Sequence, residues 1–508
     1  MPIRIGEPLT LADVLEVARG ARVEIGNDVA ARMAPARAVV DDALSSGHAV
    51  YGITTGIGDL ANVRIDPSEA VRLQADIVRS HATGVGAALP TEVVRAMMLL
   101  RARTFAFGIS GVRFELVEAF ARMLNEELHP VVPAQGSLGA SGDLAQLAHL
   151  ALPLMGEGTV EAGGRVVQAG EALRERGIEP LVLSHKEGLS LVNGTEMMLG
   201  LGIIVFAAAT AVARSADVTG AMTVEACLGT DRAFDERLVS LRKHPGAISV
   251  ANNLRSLLAG SEIVASHRES EHLVQDAYSL RCIPQVHGAY RDGLAYIRAT
   301  LEAELASAID NPSVMPDSGE VLSGGNFHGE ALGLALDHLA LCVTGYATIA
   351  ERRVARLVDP DLNNGLPAFL TRDPGRRSGL MLAQYTAAAL VSESRSLCFP
   401  ASADSISTSA GQEDHVSMGA TAARKAAAVV ANVERVIAIE AIAAAQGLDL
   451  RGPLAPAPAT AAARAALRAA VPFLEEDRVL SGDIEAATQL IREERLVVAA
   501  AEACGALD

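Results

Sequence analysis

The chain has 508 residues, half of them hydrophobic, yet only 3% aromatic and without tryptophan. Its 43 Lys+Arg against 61 Asp+Glu give a formal charge of −18, which argues against nucleic acid or an anionic membrane as partner. The five cysteines (Cys227, Cys282, Cys342, Cys398 and Cys504) stand far apart with no CxxC pair, against a disulfide framework or a zinc cluster.

In chain order, the opening MPIRIGEPLTLADV has no apolar run of signal-peptide length, so a cytoplasmic location is expected. Behind Pro67, the apolar residues Ala70, Val71, Leu73 and Ile77 predict a helix through Val78. Leucines at helical spacing from Leu144 to Leu150 predict another, ended by Pro153 and Gly156. No strand is expected before it, because the segment 130–135 is short and bounded by proline. GTVEAGGRVV (158–167) reads as a hairpin around Gly163-Gly164.

From Met197 to Ala213 runs a stretch of about seventeen apolar residues, at the lower end of what spans a membrane. It lacks aromatic belts and flanking Lys/Arg clusters, and no second such run is evident, so a buried bundle helix is expected. Long helices are also expected over 332–357 and 420–445, and GPLAPAPATAAARAA (452–466) leads into a final one. Gly and Pro cluster at 51–58, 133–142, 323–329 and 360–375, which predicts loops held by helices. The expectation is an all-α protein with a site-bearing region over 1–195 and a helical bundle over 196–508.

The stretch SLGASGDLAQLAH (137–149) carries the chemical question. A nucleophile elbow needs G-x-S-x-G after a strand, but Asp143 stands where the second glycine belongs. The G-K-[ST] ending of a phosphate loop is missing. A glycine-rich turn with Ser141 or Asp143 capping the helix at Leu144 is the simplest reading of these residues alone. A third reading uses Ala140, Ser141 and Gly142 as reagents. Attack of the Gly142 amide nitrogen on the Ala140 carbonyl carbon closes a five-membered ring and releases water. Ser141 then loses its hydroxyl as a second water, leaving an exocyclic methylidene. Glycine offers no side chain to block attack, serine has a β-hydroxyl to eliminate, and alanine fits a compressed turn.

That tripeptide in its setting resembles the signature of the aromatic amino acid lyase family, whose methylidene-imidazolone (MIO) group arises in this way. YGITTGIG (51–58), RSHATGVG (79–86), KEGLSLVNGTE (186–196), QDAYSLRCIPQVHGA (275–289), SGGNFHGE (323–330) and GQEDHVSMG (411–419) also resemble family blocks, in family order. The resemblance implies an all-helical homotetramer with active sites shared between subunits, an MIO group made from Ala140, Ser141 and Gly142, and neither a metal nor a dissociable cofactor.

It also implies roles. Tyr51 is the expected base in a mobile loop, and Tyr278 the catalytic tyrosine that orders the ring. Arg281 suits the substrate carboxylate, since its planar fork makes a bidentate pair. Asn193 and Gln275 would hydrogen-bond the MIO carbonyl or the substrate's polar groups, although Asn193 also suits a plain N-cap for the next helix. Phe327 would stack near the ring. Ser80-His81 and Glu413 resemble the family's histidine-specific members, and a carboxylate facing a phenyl ring would be left unpaired at a cost of several kcal/mol. His328 and His415 are read as structural.

The expected reaction is removal of ammonia from L-histidine to give trans-urocanate; the alternative is an MIO-dependent aminomutase, or a lyase acting on tyrosine. The pattern departs from the family at Gln146, at Thr54 and Ile57 in the tyrosine loop, and at Glu196-Met197-Met198. Loop tightness separates lyase from mutase, and sequence does not measure it.

Overall fold

The computed structural model describes residues 2–46, 50, 52, 53, 55–60, 64, 65, 67–269 and 274–508, so Tyr51 and Thr54 lie outside the described residues. The chain is helical, as its alanine and leucine content requires. Its longest helices are Glu196–Ala226, Ile283–Leu305, Glu330–Val358 and Gly419–Leu450. Strands among the described residues are at most four residues long. The hairpin pairs Thr159–Ala162 with Arg165–Gln168 antiparallel, turned by Gly163 and Gly164 at φ 56° and 73°.

Two expectations are corrected. A strand does precede the glycine-rich stretch: Pro133–Gln135 pairs antiparallel with Val85–Ala88. Its proline is tolerated because the strand belongs to a two-stranded sheet with edges free of ladder bonds. A second helix, Glu330–Val358, is also long and apolar enough to cross a membrane, its run disguised by Asp337 and His338. In it and in Glu196–Ala226 the most apolar stretches are 72% and 78% buried, so protein surrounds them.

The chain packs as two compact units. The first comprises Met1–Ile204, Arg298–Asp337 and Pro400–Arg424. The expected division after residue 195 lies within its first segment, and two later segments return to it. Its central helix, Thr91–Ala106, is buried at every position from Val93 onward, three arginines included. Arg95 donates to the carbonyls of Val17, Ala21 and Leu124, so a buried cation ties the last turns of the helices Leu11–Ala18 and Glu115–Asn125 to the loop at Ala21.

The second unit comprises Val205–Ile297, His338–Phe399 and Lys425–Asp508. It too encloses polar networks. Glu440 accepts from Thr219 (2.8 Å), Thr223 (3.0 Å) and Arg353, and both ends of the Arg353–Glu440 pair are fully buried. Asp217 accepts from Asn253 and Arg291 and contacts His287 at 2.7 Å.

Candidate active site

The Ala140-Ser141-Gly142 segment is a closed turn in the first unit. The Gly142 N–H donates to the Gly139 carbonyl at 3.2 Å, and Ser141 stands at φ 48°, in the left-handed region normally left to glycine. Gly142 has φ 81°, and a Cβ there would lie 2.0 Å from the Gly194 carbonyl oxygen, so no side chain is admissible. The short link between the helices Glu187–Val192 and Glu196–Ala226 zips the turn in place: Asp143 N–H donates to Gly194 O at 2.7 Å, and Gly194 N–H to Ser141 O at 3.2 Å. The other wall is 416–418. Met418 N–H donates to Leu138 O at 2.9 Å, and a Cβ on Gly139 would collide with Ser417. A tripeptide that is to close a five-membered ring needs a bend at its second residue and a bare third residue. Both conditions are met, so these residues fit the MIO group.

Asp143 differs from its expected part. Its carboxylate makes no cap at the helix Leu144–Ala151 that it precedes. Its Oδ2 instead accepts from the Met197 and Met198 N–H groups (2.9 and 3.0 Å), capping the helix Glu196–Ala226, while Oδ1 has no partner. Complete burial pushes this carboxyl up to about 8, against the lowering pull of those two amides. Asn193 is likewise no N-cap. Its Nδ2 donates to the Asn311 carbonyl at 2.8 Å and faces Asp310 at 3.4 Å, and its buried Oδ1 is unpartnered.

Buried ion pairs hold this link and the helices on either side of it. Lys186 reaches Asp310 at 3.0 Å and Ser190 at 2.9 Å, and burial lowers the lysine's pKa. Arg101 pairs with Glu196 at 2.7 Å and donates to the Ser190, Asn193 and Ile309 carbonyls. Sequence reading missed these braces. Their signal was the presence of Lys186, Glu187 and Glu196 within an otherwise apolar block, which burial would oblige to pair.

Other expected residues converge on the same unit. His81 ends the helix Pro67–His81, half-buried, with Nδ1 2.8 Å from the Ile77 carbonyl. A Cβ on Gly136 would lie 3.1 Å from Gly84 Cα, so the 79–86 block abuts the approach to the turn. Glu413 closes a small loop. Its Oε2 accepts from Thr408 Oγ1 at 3.0 Å, and the left-handed Ser409, Ala410 and Gly411 reverse the chain. Asp59 N–H reaches Ser409 Oγ at 3.4 Å, so the described end of the tyrosine loop meets the Glu413 loop. Phe327 is half-buried, and a Cβ on the nearby Gly329 would touch Met198 and Ser417. Gln146 is buried with neither amide atom partnered.

The remaining expected residues form a separate cluster within the second unit. Tyr278 and Arg281 share the one-turn helix Tyr278–Arg281, with the guanidinium carbon 4.6 Å from the Tyr278 ring centroid. Arg281 donates to Gln275 Oε1, its Nε is unpartnered, and no acid pairs with it among the described residues. The Tyr278 side of this cluster is open: the residue is 71% exposed.

Comparison with known proteins agrees with this arrangement. The family model for aromatic amino acid lyases matches residues 9–469. The chain is 52% identical over 497 residues to histidine ammonia-lyase of Anaeromyxobacter sp. (strain K), covering 96% of this chain and 98% of that one. Among solved structures, histidine ammonia-lyase from Trypanosoma cruzi superposes with a TM-score of 0.91 at 42% identity, over 99% of this chain and 95% of that one. Tyrosine aminomutase from Streptomyces globisporus gives 0.93 at 38% identity, over the whole of both chains. With a bent Ala-Ser-Gly turn that admits no side chain at Gly142, and likeness along its whole length, the chain belongs to the aromatic amino acid lyase family.

Proposed function

We infer that this enzyme is an ammonia-lyase that converts L-histidine to trans-urocanate and ammonia, with its MIO group built from Ala140, Ser141 and Gly142. The observation that carries the MIO assignment is the turn: Ser141 left-handed, and Gly142 against the Gly194 carbonyl with no room for a Cβ. When present, the MIO group supplies an electrophile that no ordinary side chain offers. The chain's own residues do the rest. Arg281 holds the substrate carboxylate with its fork, and Gln275 keeps that fork in place. Asn193, its donor side committed to Asn311, keeps a buried carbonyl oxygen free to accept from the substrate amine.

Glu413 accepts the imidazole N–H, a charge-assisted bond that a phenyl or phenol ring does not make. His81 and Phe327 line the ring's position, Tyr278 orders the ring, and Tyr51 takes the proton from Cβ. The active form is a homotetramer with sites shared between subunits. The open face of Tyr278, beside an Arg281 that has no acid partner among the described residues, is the support for this. The location is cytoplasmic.

Intact mass of the purified chain tests the MIO assignment. Two lost waters lower it by about 36 Da, and an unmodified mass rejects the assignment. Incubation with L-histidine tests the reaction through the ultraviolet absorbance of urocanate. A β-amino acid in the product NMR spectrum would establish a mutase instead.

A further inference from the structure

We propose that His328, Glu330 and His415 form a site for a divalent cation of the zinc class, and that its occupation inhibits deamination. One ligand atom from each residue lies within 4.8 Å of the other two. Two imidazoles and a carboxylate are a donor set suited to a borderline cation, with a fourth position left for water. The two histidines stand 87 positions apart in the chain, yet both segments belong to the first unit.

A second, independent observation points to a ligand. Glu330 Oε2 is buried without a hydrogen-bond partner, and no Lys or Arg forms an ion pair with Glu330 among the described residues. A carboxylate oxygen in that state loses its hydration without return, and a cation restores the balance. Neither histidine is buried, and among the described residues neither ring makes an ion pair. Their ring centroids are 5.9 Å apart at 35°, and His328 Nε2 makes only a long contact, 3.4 Å, with the His415 carbonyl. The donors also stand on a firm base: Glu330 is the first residue of the helix Glu330–Val358, and Gly329 is packed against Met198 and Ser417.

The consequence rests on the function proposed above. Phe327 directly precedes His328, and Glu413 lies two residues before His415. A cation bridging the two segments clamps both. Its positive charge also competes with the imidazole N–H for the Glu413 carboxylate, so occupation lowers kcat/KM for histidine.

The test uses the full-length enzyme, freed of metal by a chelator and titrated with Co2+ and then Zn2+. The expected result is one Co2+ per chain, with the visible absorption of a four- or five-coordinate site, displaced by Zn2+. His415→Ala and His328→Ala abolish that absorption, and Glu330→Gln weakens binding by roughly 100-fold or more, since loss of even an outer partner costs 10- to 100-fold. Activity is read at buffered free Zn2+, because histidine itself chelates the ion; inhibition of the unaltered enzyme disappears in His415→Ala. Absence of stoichiometric Co2+ binding to the unaltered enzyme, which needs no variant to fold, overturns the proposal. So do binding retained in both histidine variants, and binding without inhibition. Cobalt binding requires no substrate, so its failure leaves the histidine reading standing. Failure of the metal-free enzyme to turn over histidine sinks that reading and not the site.

Discussion

Both units bury carboxylates, but the carboxylate oxygens left buried without a partner among the described residues all lie in the first. In the second, Glu440 and Asp217 have every carboxylate oxygen engaged, by Thr219, Thr223 and Arg353 in one case and by Asn253, His287 and Arg291 in the other. In the first, Asp143 Oδ1, Asn193 Oδ1, Glu196 Oε2 and both amide atoms of Gln146 are buried without partners. Buried polar atoms are rarely left unpaired in a folded protein, because desolvation costs about 1–3 kcal/mol each. A completed network holds the fold together. An incomplete one, gathered around a single strained turn, marks where something else is to bind.

The sharpest way to break this contrast is Ser141→Ala. Turnover should fall by roughly 10³-fold or more, with the mass deficit of the chain abolished and thermal unfolding little changed. Near-normal turnover would mean that the turn is only a turn. In the second unit the converse is expected. Arg353→Met leaves Glu440 buried without its cation, so denaturant titration should show a loss of about 3–5 kcal/mol. A change confined to activity would make that network functional rather than structural.

Glu413→Gln sharpens specificity within the first unit. It removes a charge-assisted bond worth roughly 1.5–3 kcal/mol, so kcat/KM for histidine should drop by roughly 10- to 150-fold. Unaltered histidine kinetics would remove Glu413 from the site. A stability readout rather than a kinetic one addresses Asp143, whose carboxyl sits at about 8 when folded against an ordinary value of 3.8. The folded chain thus holds a proton that the unfolded chain releases. Stability from this group is complete below about pH 4 and is lost as pH rises to about 8. Asp143→Asn keeps an acceptor for the Met197 and Met198 amides and should flatten that slope in pH-dependent unfolding.

The sequence made the turn legible because its demands are local. A glycine that cannot carry a Cβ, a serine with a β-hydroxyl and a small first residue follow one another in the chain, and the structure places them in one bend. The hairpin at Gly163-Gly164 was legible for the same reason. Asp143 was not. Adjacent to the helix at Leu144, it has the position of its N-cap, yet its carboxylate serves the helix at Glu196. The strand Pro133–Gln135 was hidden too, since its partner Val85–Ala88 is remote in sequence and its own three residues carry no alternation.

Helical class, the Ala-Ser-Gly turn and the family blocks were therefore determined by sequence alone, since propensity, periodicity and turn chemistry act between residues a few positions apart. Only tertiary structure decided which buried charges meet, Lys186 with Asp310 and Arg101 with Glu196, and brought the more open His328 and Glu330 to His415. The physical reason is that burial obliges a charge to find a partner without specifying which, and packing of distant segments makes that choice.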